Sequence, residues 1–494
     1  MVNLRLPKSG LFSFPISYSI KTEFENIQNV SKNQLKIELR SELNKYSDFL
    51  IYEKESSNSL IKINFDKNRL TIQLGILKPY FFDDINEIQK ENLIESLLFN
   101  VLLGLSLCMV DLGKIDYCGK VIFENELQVE LLKNEDILLK ILPILLSSSY
   151  LEDVLKLIDR FLENSRRNIL LLPTFIKILI ASDTKVKKRI ELIESFLQSR
   201  LEKAKKKNKR GLIASSYYNL GNFYRGKSRY YESIKHYVSA KRYDKTYLDR
   251  AYYYREIGGV CFELNKYKFS SMFYEKAISL DSPIQIKPLL GDALMFDGEY
   301  EKASIIFKEY ISEVDTPKEE FLLKEILLSG TIVNKGIVKQ KRNRDKASDL
   351  AKVNKITSKE KQLENLEKSL EADMLSDLTW YNLGHFNVEE KKYRESFYCF
   401  SMSAMINLND IESWVNAYLS FVNSNSIEPI DSLISTLVLK TAYRHNGKEF
   451  LAYLNEVVER TPNLKKGIGF LSIIEELIET DKKTKEETVL RIHN

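Results

Sequence analysis

Residues 221–228 spell G-N-F-Y-R-G-K-S, a string that in many proteins holds nucleotide phosphates. Such a loop works when a buried strand leads into it, because its N–H groups and the next helix must converge on the phosphates. Residues 213–220 include two serines and an asparagine, whereas a buried parallel strand is almost continuously apolar. We therefore predict no nucleotide site, although residues 293–297 imitate the apolar run that ends in a magnesium-binding aspartate.

Side chains that commonly carry catalysis or bind metals are sparse and isolated. The histidines are His236, His385, His445 and His493, and the sequence contains no H-E-x-x-H, Cys/His cluster or G-x-S-x-G. Zinc and serine-hydrolase chemistry therefore lack their usual parts. We predict a non-enzymatic protein with no catalytic residue, metal or cofactor. The alternative is an enzyme whose site is unrecognised within residues 1–125.

Two short runs are rich in lysine and arginine. Binding to a phosphate backbone is the functional interpretation, and a solvated helix end is the structural one. The whole chain has 74 basic and 69 acidic residues, a net charge of +5, without the strong excess of a dedicated nucleic-acid binder. A nucleic-acid-associated regulator is therefore the alternative hypothesis. One run lies at 339–346, and the other is a candidate basic patch of Lys203, Lys205, Lys206, Lys207, Lys209 and Arg210.

The composition indicates a mainly helical protein. Of the 494 residues, 44% are hydrophobic and 29% charged, and 18 glycines and 10 prolines leave few helix breakers. The length favours several modules or a repeat array over one core. Residues 1–20 imitate a signal peptide loosely, but Pro15 interrupts the apolar part, and no apolar run reaches the ~20 residues of a membrane span. Because the four cysteines form no C-x-x-C pair, we expect a reducing, cytoplasmic location without membrane association.

Four segments share a Leu-Gly or Ile-Gly pair followed, nine residues after the glycine, by a tyrosine. The equivalent glycines are Gly221, Gly258, Gly291 and Gly384, at intervals of 37, 33 and 93 residues. The spacing resembles the tetratricopeptide repeat, a two-helix hairpin with a period of about 34 residues. The resemblance implies that each glycine lies inside a first helix where the second helix approaches closely. The best copy contains Tyr217, Leu220, Gly221, Tyr224, Tyr230, Tyr237 and Ala240.

The N-terminal part has a different texture. Short alternating segments with β-branched residues predict a small antiparallel meander. A long amphipathic run at 91–112 predicts a helix that packs on this sheet. The meander segments are 34–40, 49–53, 60–66 and 69–74.

We predict a mainly α fold, a tetratricopeptide-like α-solenoid with a small N-terminal α+β domain. The tetratricopeptide resemblance covers 212–314 and 377–408. Elsewhere the sequence shows only the periodicity of helices. The long glycine interval predicts two worn repeats with a lengthened or inserted helix. The predicted domains are an N-terminal α+β domain (1–125), degenerate hairpins (126–205), a repeat block (206–318), worn repeats with a charged insertion (319–376), C-terminal repeat-like helices (377–478) and a tail (479–494).

The resemblance also implies a binding groove lined by the first helices of successive hairpins. Tyrosine and arginine, which are frequent at these positions here, are favoured interface residues. The leading hypothesis is a cytoplasmic scaffold or sensor that binds a protein or peptide with some acidic character, with no prediction of its oligomeric state. The predicted groove residues are Tyr218, Asn222 and Arg225 in the first copy, Tyr252, Arg255 and Phe262 in the second, and Gln285, Asp292 and Met295 in the third.

One specialisation of the resembled family is not expected here. Chaperone-binding members grip a C-terminal carboxylate with a lysine and asparagines of their first two repeats. In this chain Tyr218 stands in place of the lysine, and Glu256 stands where an asparagine belongs. A carboxylate at that place repels the ligand, so we predict that the chain lacks this clamp.

Overall fold

A computed structural model describes residues 187–353 and 358–460 continuously, together with shorter stretches between residues 16 and 176. The chain divides into two compact units, Met1–Asp244 and Lys245–Asn494.

The first unit begins with a mixed five-stranded sheet. Its strands are β1 (Ile16–Thr22), β4 (Leu50–Tyr52), β5 (Ile61–Phe65), β6 (Arg69–Leu74) and β7 (Tyr80–Asp83), while β2 (Asn26–Ile27) pairs separately with β3 (Val30–Ser31). The order is β4-β1-β5-β6-β7, with β1 parallel to β4 and β5, and with β5, β6 and β7 antiparallel. The purely antiparallel prediction is therefore wrong, because parallel pairing joins strands with no tight turn between them.

Residues 34–40, predicted as a strand, lie instead in helix α1 (Lys32–Leu43). Leu35, Leu39 and Leu43 are buried, and their four-residue spacing places them on one helix face. Ser31 caps the helix by accepting a hydrogen bond from the Gln34 amide at 3.2 Å. The same seven residues also alternate, and a window this short does not separate the two periodicities.

One face of the sheet is fully buried. Ile61, Ile63 and Phe65 alternate along β5, and Ile72 lies beside them in β6. A Cβ added to Gly104 would lie 2.1 Å from the Ile72 side chain, so the short helical stretch at Gly104 packs directly on this face. The predicted helix at 91–112 otherwise falls almost entirely outside the described residues.

Helices follow the sheet in the first unit. Asp159 accepts a hydrogen bond from Arg200 at 2.9 Å and also pairs with Lys203, which ties two of these helices together. The last two helices form the first hairpin of the repeat pattern. The helices are α2 (Ile115–Glu124), α3 (Gln128–Leu131), α4 (Leu151–Asn164), α5 (Lys187–Lys206), α6 (Arg210–Gly226) and α7 (Tyr230–Tyr243).

The described part of the second unit is helical. The last helix is interrupted at Gly447, whose φ is 50°. Short 3₁₀ helices at Lys245–Asp249 and Ile284–Ile286 precede α8 and α10. The helices are α8 (Ala251–Glu263), α9 (Tyr267–Ile278), α10 (Lys287–Asp297), α11 (Tyr300–Glu313), α12 (Glu319–Lys335), α13 (Arg344–Ala351), α14 (Lys359–Ala372), α15 (Asp377–Glu389), α16 (Tyr393–Ile406), α17 (Ile411–Ser424) and α18 (Pro429–Arg460).

The four repeat glycines lie inside first helices, against an aromatic ring of the second helix, as predicted. A Cβ at any of them would approach that ring to 2.6–2.9 Å, closer than real Cβ atoms come. Glycine therefore sets the close packing of each hairpin. The four contacts are Gly221 with Tyr237, Gly258 with Tyr274, Gly291 with Phe307 and Gly384 with Phe400.

A serine twelve residues after the glycine reinforces three of these contacts. Its hydroxyl donates to the glycine carbonyl across the hairpin at 2.8–3.0 Å. The third hairpin has Ala303 at this place. The serines are Ser233, Ser270 and Ser396.

The long glycine interval contains an extended segment, 336–343, between α12 and α13. The backbone amide of Gln340 donates to the Gly298 carbonyl at 2.9 Å. Arg342 donates to both carboxylate oxygens of Asp373, at 2.6 and 3.0 Å, and to the Phe296 carbonyl at 2.8 Å. Because the side chains of Arg342 and Asp373 are both buried, this part of the second basic run is structural.

Candidate partner-binding faces of the helical hairpins

Residues 221–228 form the end of α6 and the turn that follows it. Lys227 caps the helix, and Ser228 takes a left-handed φ of 57°. The residues that precede Gly221 are helical, so the amides of this segment point along the helix axis. The prediction that no strand leads into a phosphate loop here is confirmed.

Lys227→Ala is expected to leave the melting temperature of the protein unchanged. Isothermal titration should detect no ATP binding to either the wild type or the variant, because the amides of α6 are used within the helix. ATP binding to the wild type that disappears in the variant would show that the string is a nucleotide site.

In the first hairpin, Tyr237 holds two of the predicted groove residues. Its hydroxyl donates to Asn222 Oδ1 at 2.7 Å, and its ring centroid lies 5.6 Å from that of Tyr218. Tyr218 and Asn222 are consequently half-buried. Arg225, one helical turn further along, is exposed. Asn222 thus has a packing role, and Arg225 is the exposed member of the three.

In the second hairpin, Tyr252 is the most exposed of the predicted groove residues, with 37% of its surface accessible. Arg250 donates to the Tyr252 hydroxyl at 2.8 Å and to Thr246 Oγ1 at 2.8 Å. The Arg250 guanidinium also stacks on the Tyr247 ring at 4.5 Å. These contacts fix an aromatic side chain and a cation side by side at the start of α8.

The other two predicted residues of α8 are engaged by the hairpin. Arg255 forms an ion pair of 2.6 Å with Glu256, whose side chain is buried. Phe262 packs edge-on against Tyr267 at 5.1 Å and Phe296 at 5.6 Å. Phe262 of α8 therefore packs against both α9 and α10.

The third hairpin departs further from the predicted groove. Met295 is fully buried, so the prediction that it lines an open face is wrong. Gln285 is exposed. Asp292 Oδ1 accepts a hydrogen bond from Lys324 at 2.7 Å. Lys324 belongs to α12, so α12 covers this part of the surface of α10.

Lys324 is a buried cation between two carboxylates. It donates to Asp292 and, at 2.6 Å, to Glu320, and 4% of its side chain is exposed. Burial raises the pKa of Asp292 to about 6, although Lys324 opposes that rise. Burial also acts to raise the pKa of Glu320, but Lys324 and His445 together hold it below its ordinary value.

Helix α18 also contacts the start of α12. Arg444 pairs with Glu319 at 3.0 Å, and His445 Nε2 lies 3.0 Å from Glu320 Oε2. The sequence does not indicate this cluster, because its members lie 125 residues apart and belong to no shared motif. The cluster joins the start of α12 to α18 within the second unit.

The candidate basic patch separates into two groups. Lys203 pairs with Asp159 and Glu163, and Lys205 pairs with Glu202 at 2.7 Å. The remaining members are exposed where α5 ends and α6 begins: Lys206, Lys207, Lys209 and Arg210.

Two of the histidines pack against aromatic rings. His236 lies between Tyr224 at 4.9 Å and Tyr217 at 5.7 Å, and burial lowers its pKa. His385 lies 4.6 Å from Tyr381 and 5.1 Å from Phe400. Both side chains therefore have a packing environment.

In the part of the chain that the structure describes, no helix combines the length and apolar character needed to cross a bilayer. No group of three or more His, Cys, Asp and Glu residues gathers there as a metal site would require.

Each hairpin places a glycine of its first helix against an aromatic ring of its second, and in this the hairpins are tetratricopeptide-like. No family model and no curated protein matches the chain. Among solved structures, the APC/C hetero-tetramer Cut9-Hcn1 is 16% identical over 67% of this chain, with a TM-score of 0.31, and the match spans 58% of that chain. Yeast Tom70 is 12% identical over 80% of this chain and 88% of its own, with a TM-score of 0.26. YrrB, described as a TPR protein with an unusual peptide-binding site, is 15% identical over 52% of this chain and 97% of its own, with a TM-score of 0.20.

The prediction of a mainly α, tetratricopeptide-like fold with a small N-terminal α+β part is confirmed.

Proposed function

We propose that this chain is a non-enzymatic scaffold that binds a protein or extended peptide through first helices of its hairpins, with the contacts of α6 and those of α8 proposed separately. Tyr252 carries the proposal, because it is exposed on a first helix and fixed in place by Arg250. Such pre-organised aromatic and arginine side chains lose little conformational freedom on binding.

The proposed contacts are assigned to each hairpin by itself. In α6 they are Tyr218, Asn222 and Arg225, of which Arg225 is the exposed member. In α8 they are Tyr252, Arg255 and Phe262, of which Tyr252 is the exposed member. The first helices α10 and α12 contribute less, because Asp292 and Lys324 bind each other.

The chemistry of these residues indicates an acidic partner segment. Arg225 is an exposed residue of α6, and Arg250 lies beside Tyr252 in α8; guanidinium groups match carboxylates in charge and geometry. The proposal also places the protein in the cytoplasm, a location supported by the free, buried thiols of Cys261 and Cys399.

Tyr252→Ala is expected to weaken partner binding by about tenfold or more, as loss of an interface tyrosine does. The partner is first isolated from the native host with the full chain and identified by mass spectrometry. Dissociation constants are then measured by isothermal titration. Arg225→Ala should weaken binding in the same direction, because it removes an exposed donor.

Phe269→Ala is the matched control, since Phe269 is an exposed aromatic residue on the second helix of the same hairpin. It should bind the partner like the wild type. Asn222 and Arg255 are poorer test sites, because their loss also removes a contact inside the hairpin, the hydrogen bond of Asn222 with Tyr237 or the ion pair of Arg255 with the buried Glu256. If Phe269→Ala weakens binding while Tyr252→Ala does not, the assignment to the first helices is wrong.

A further inference from the structure

The positive charge of the chain is concentrated in one short region. Residues 201–244 contain twelve Lys and Arg against three Asp and Glu, whereas residues 1–200 contain 27 of each. Residues 245–494 contain 35 basic and 39 acidic residues. Although the net charge of the whole chain is small, residues 201–244 have a local excess of positive charge of the kind that polyanion-binding surfaces show.

The centre of this region is the turn between α5 and α6. Lys206, Lys207, Lys209 and Arg210 are exposed there, around Asn208 with its left-handed φ of 44°. Within the described ranges, none of these four side chains forms an ion pair, in contrast to the neighbouring lysines that pair with Asp159 and Glu202.

Helix stability does not account for this placement. A cation in the last turn of α5, such as Lys206, favours the negative end of the helix dipole. Lys209 and Arg210 instead occupy the N-cap and first position of α6, where a positive charge faces the positive end of a dipole. Two cations at an unfavourable helix end are better explained by a ligand that carries negative charge.

An exposed aromatic ring lies at the same end of the hairpin. Because α6 and α7 are antiparallel, the start of α6 lies beside the end of α7. Tyr243 there stacks on Tyr217, with ring centroids 5.5 Å apart, and the Lys205 ammonium lies 5.8 Å from the Tyr217 ring. Tyr243 is 37% exposed, and Arg242 beside it is exposed.

We infer that this end of the first hairpin binds single-stranded nucleic acid. We call it the basic end and define it by Lys206, Lys207, Lys209, Arg210 and Tyr243. The four cations contact phosphates, and an unpaired base stacks on Tyr243. A duplex has no free base for that ring, and an acidic peptide matches the charge without supplying a base. The inference is independent of the proposed protein partner.

The test measures fluorescence anisotropy of a labelled oligothymidylate of about 12 nucleotides with the full chain over a salt series. The logarithm of the affinity should fall linearly with the logarithm of salt, by about 0.7 per phosphate contact. Combining Lys206→Ala, Lys207→Ala and Lys209→Ala should reduce the slope by about 2 and weaken binding at least tenfold at low salt.

The matched control combines Lys266→Ala, Lys276→Ala and Lys341→Ala, three exposed lysines of the second unit. It changes the net charge equally and should retain wild-type affinity. Tyr243→Leu should weaken single-strand binding about tenfold and leave competition by an oligoglutamate peptide unchanged. Melting temperatures of all the variants should match the wild type.

Three results would overturn the inference. The first is wild-type affinity in the variant of the basic end, and the second is an equal loss in the control. The third is an oligoglutamate peptide of the same charge that competes as well as the oligonucleotide, which would assign the surface to an acidic protein.

Discussion

Lys324→Met is expected to lower the free energy of unfolding by about 3 kcal/mol, because it leaves two partly buried carboxylates without the buried cation between them. The wild-type ammonium lies 2.7 Å from Asp292 and 2.6 Å from Glu320. Unfolding in urea is followed by tryptophan fluorescence. Both tryptophans, Trp380 and Trp414, are buried in the second unit with Lys324, so they report on the unit that is changed.

Lys359→Met is the matched control, since Lys359 also pairs with two carboxylates, Glu389 and Glu390. Its side chain is largely exposed, so solvent screens the interaction and the stability should hardly change. Equal losses in the two variants would contradict the assignment of Lys324 as a buried structural cation.

The loss in Lys324→Met should be larger at pH 8 than at pH 5. Burial raises the pKa of Asp292 to about 6 in the wild type, and removal of the cation raises it further. A raised pKa in the folded state stabilises the fold below that pKa, and this contribution is lost as pH rises through it. At pH 5 the variant therefore avoids a buried unpaired charge by protonating Asp292. A loss that does not depend on pH would contradict this explanation.

Gly291→Leu is the second change expected to have a large effect, with a loss of about 3 kcal/mol in the free energy of unfolding. A Cβ at this glycine would already lie 2.6 Å from Phe307, and leucine adds three further carbons. The helices α10 and α11 must then separate. Urea unfolding with the same tryptophan signal measures the loss.

Gly330→Leu provides the control on a neighbouring helix of the same unit. A Cβ at Gly330 has no neighbour within 4 Å, so the substitution should stabilise α12 by about 0.5–1 kcal/mol through helix propensity. The opposite signs separate the close contact from any general effect of replacing glycine in a helix. A stable Gly291→Leu protein would show that the hairpin does not need this contact.

The hairpins could be predicted from the sequence because their signals are local. Gly221 and Tyr237 lie 16 residues apart in one hairpin, and the glycine marks the place where a side chain does not fit. The serine that donates to the glycine carbonyl was present at a fixed distance as well. It was not recognised, because serine is common on helices for many reasons.

The remaining structure depends on pairings between distant segments. Strand β1 is parallel to β4 and β5. Parallel strands are not joined by a tight turn, so no turn residues in the sequence indicate this pairing. Arg342 belongs to a basic run whose sequence is typical of a solvated segment. Its side chain is nevertheless buried, in an ion pair with Asp373. The contact of His445 with Glu320 spans 125 residues and follows no repeat register.

The repeat register predicts the candidate contacts as a set of positions, but it does not predict which of their side chains are exposed. Tyr252 and Arg225 lie where the repeat register places them. Met295 has an equivalent position but is buried, and Asp292 is neutralised by Lys324. Whether a position on a first helix stays open depends on the following helix, which the repeat pattern alone does not specify.

Photo-crosslinking tests the central claim most directly, namely that first helices of the hairpins hold the partner. A benzoylphenylalanine is placed in turn at Tyr252, on the first helix of the second hairpin, and at Phe269, on its second helix; both side chains are exposed. We expect ultraviolet light to join the purified partner to position 252 and not to position 269. A crosslink at 269 alone, or equal crosslinks at both positions, would contradict the account.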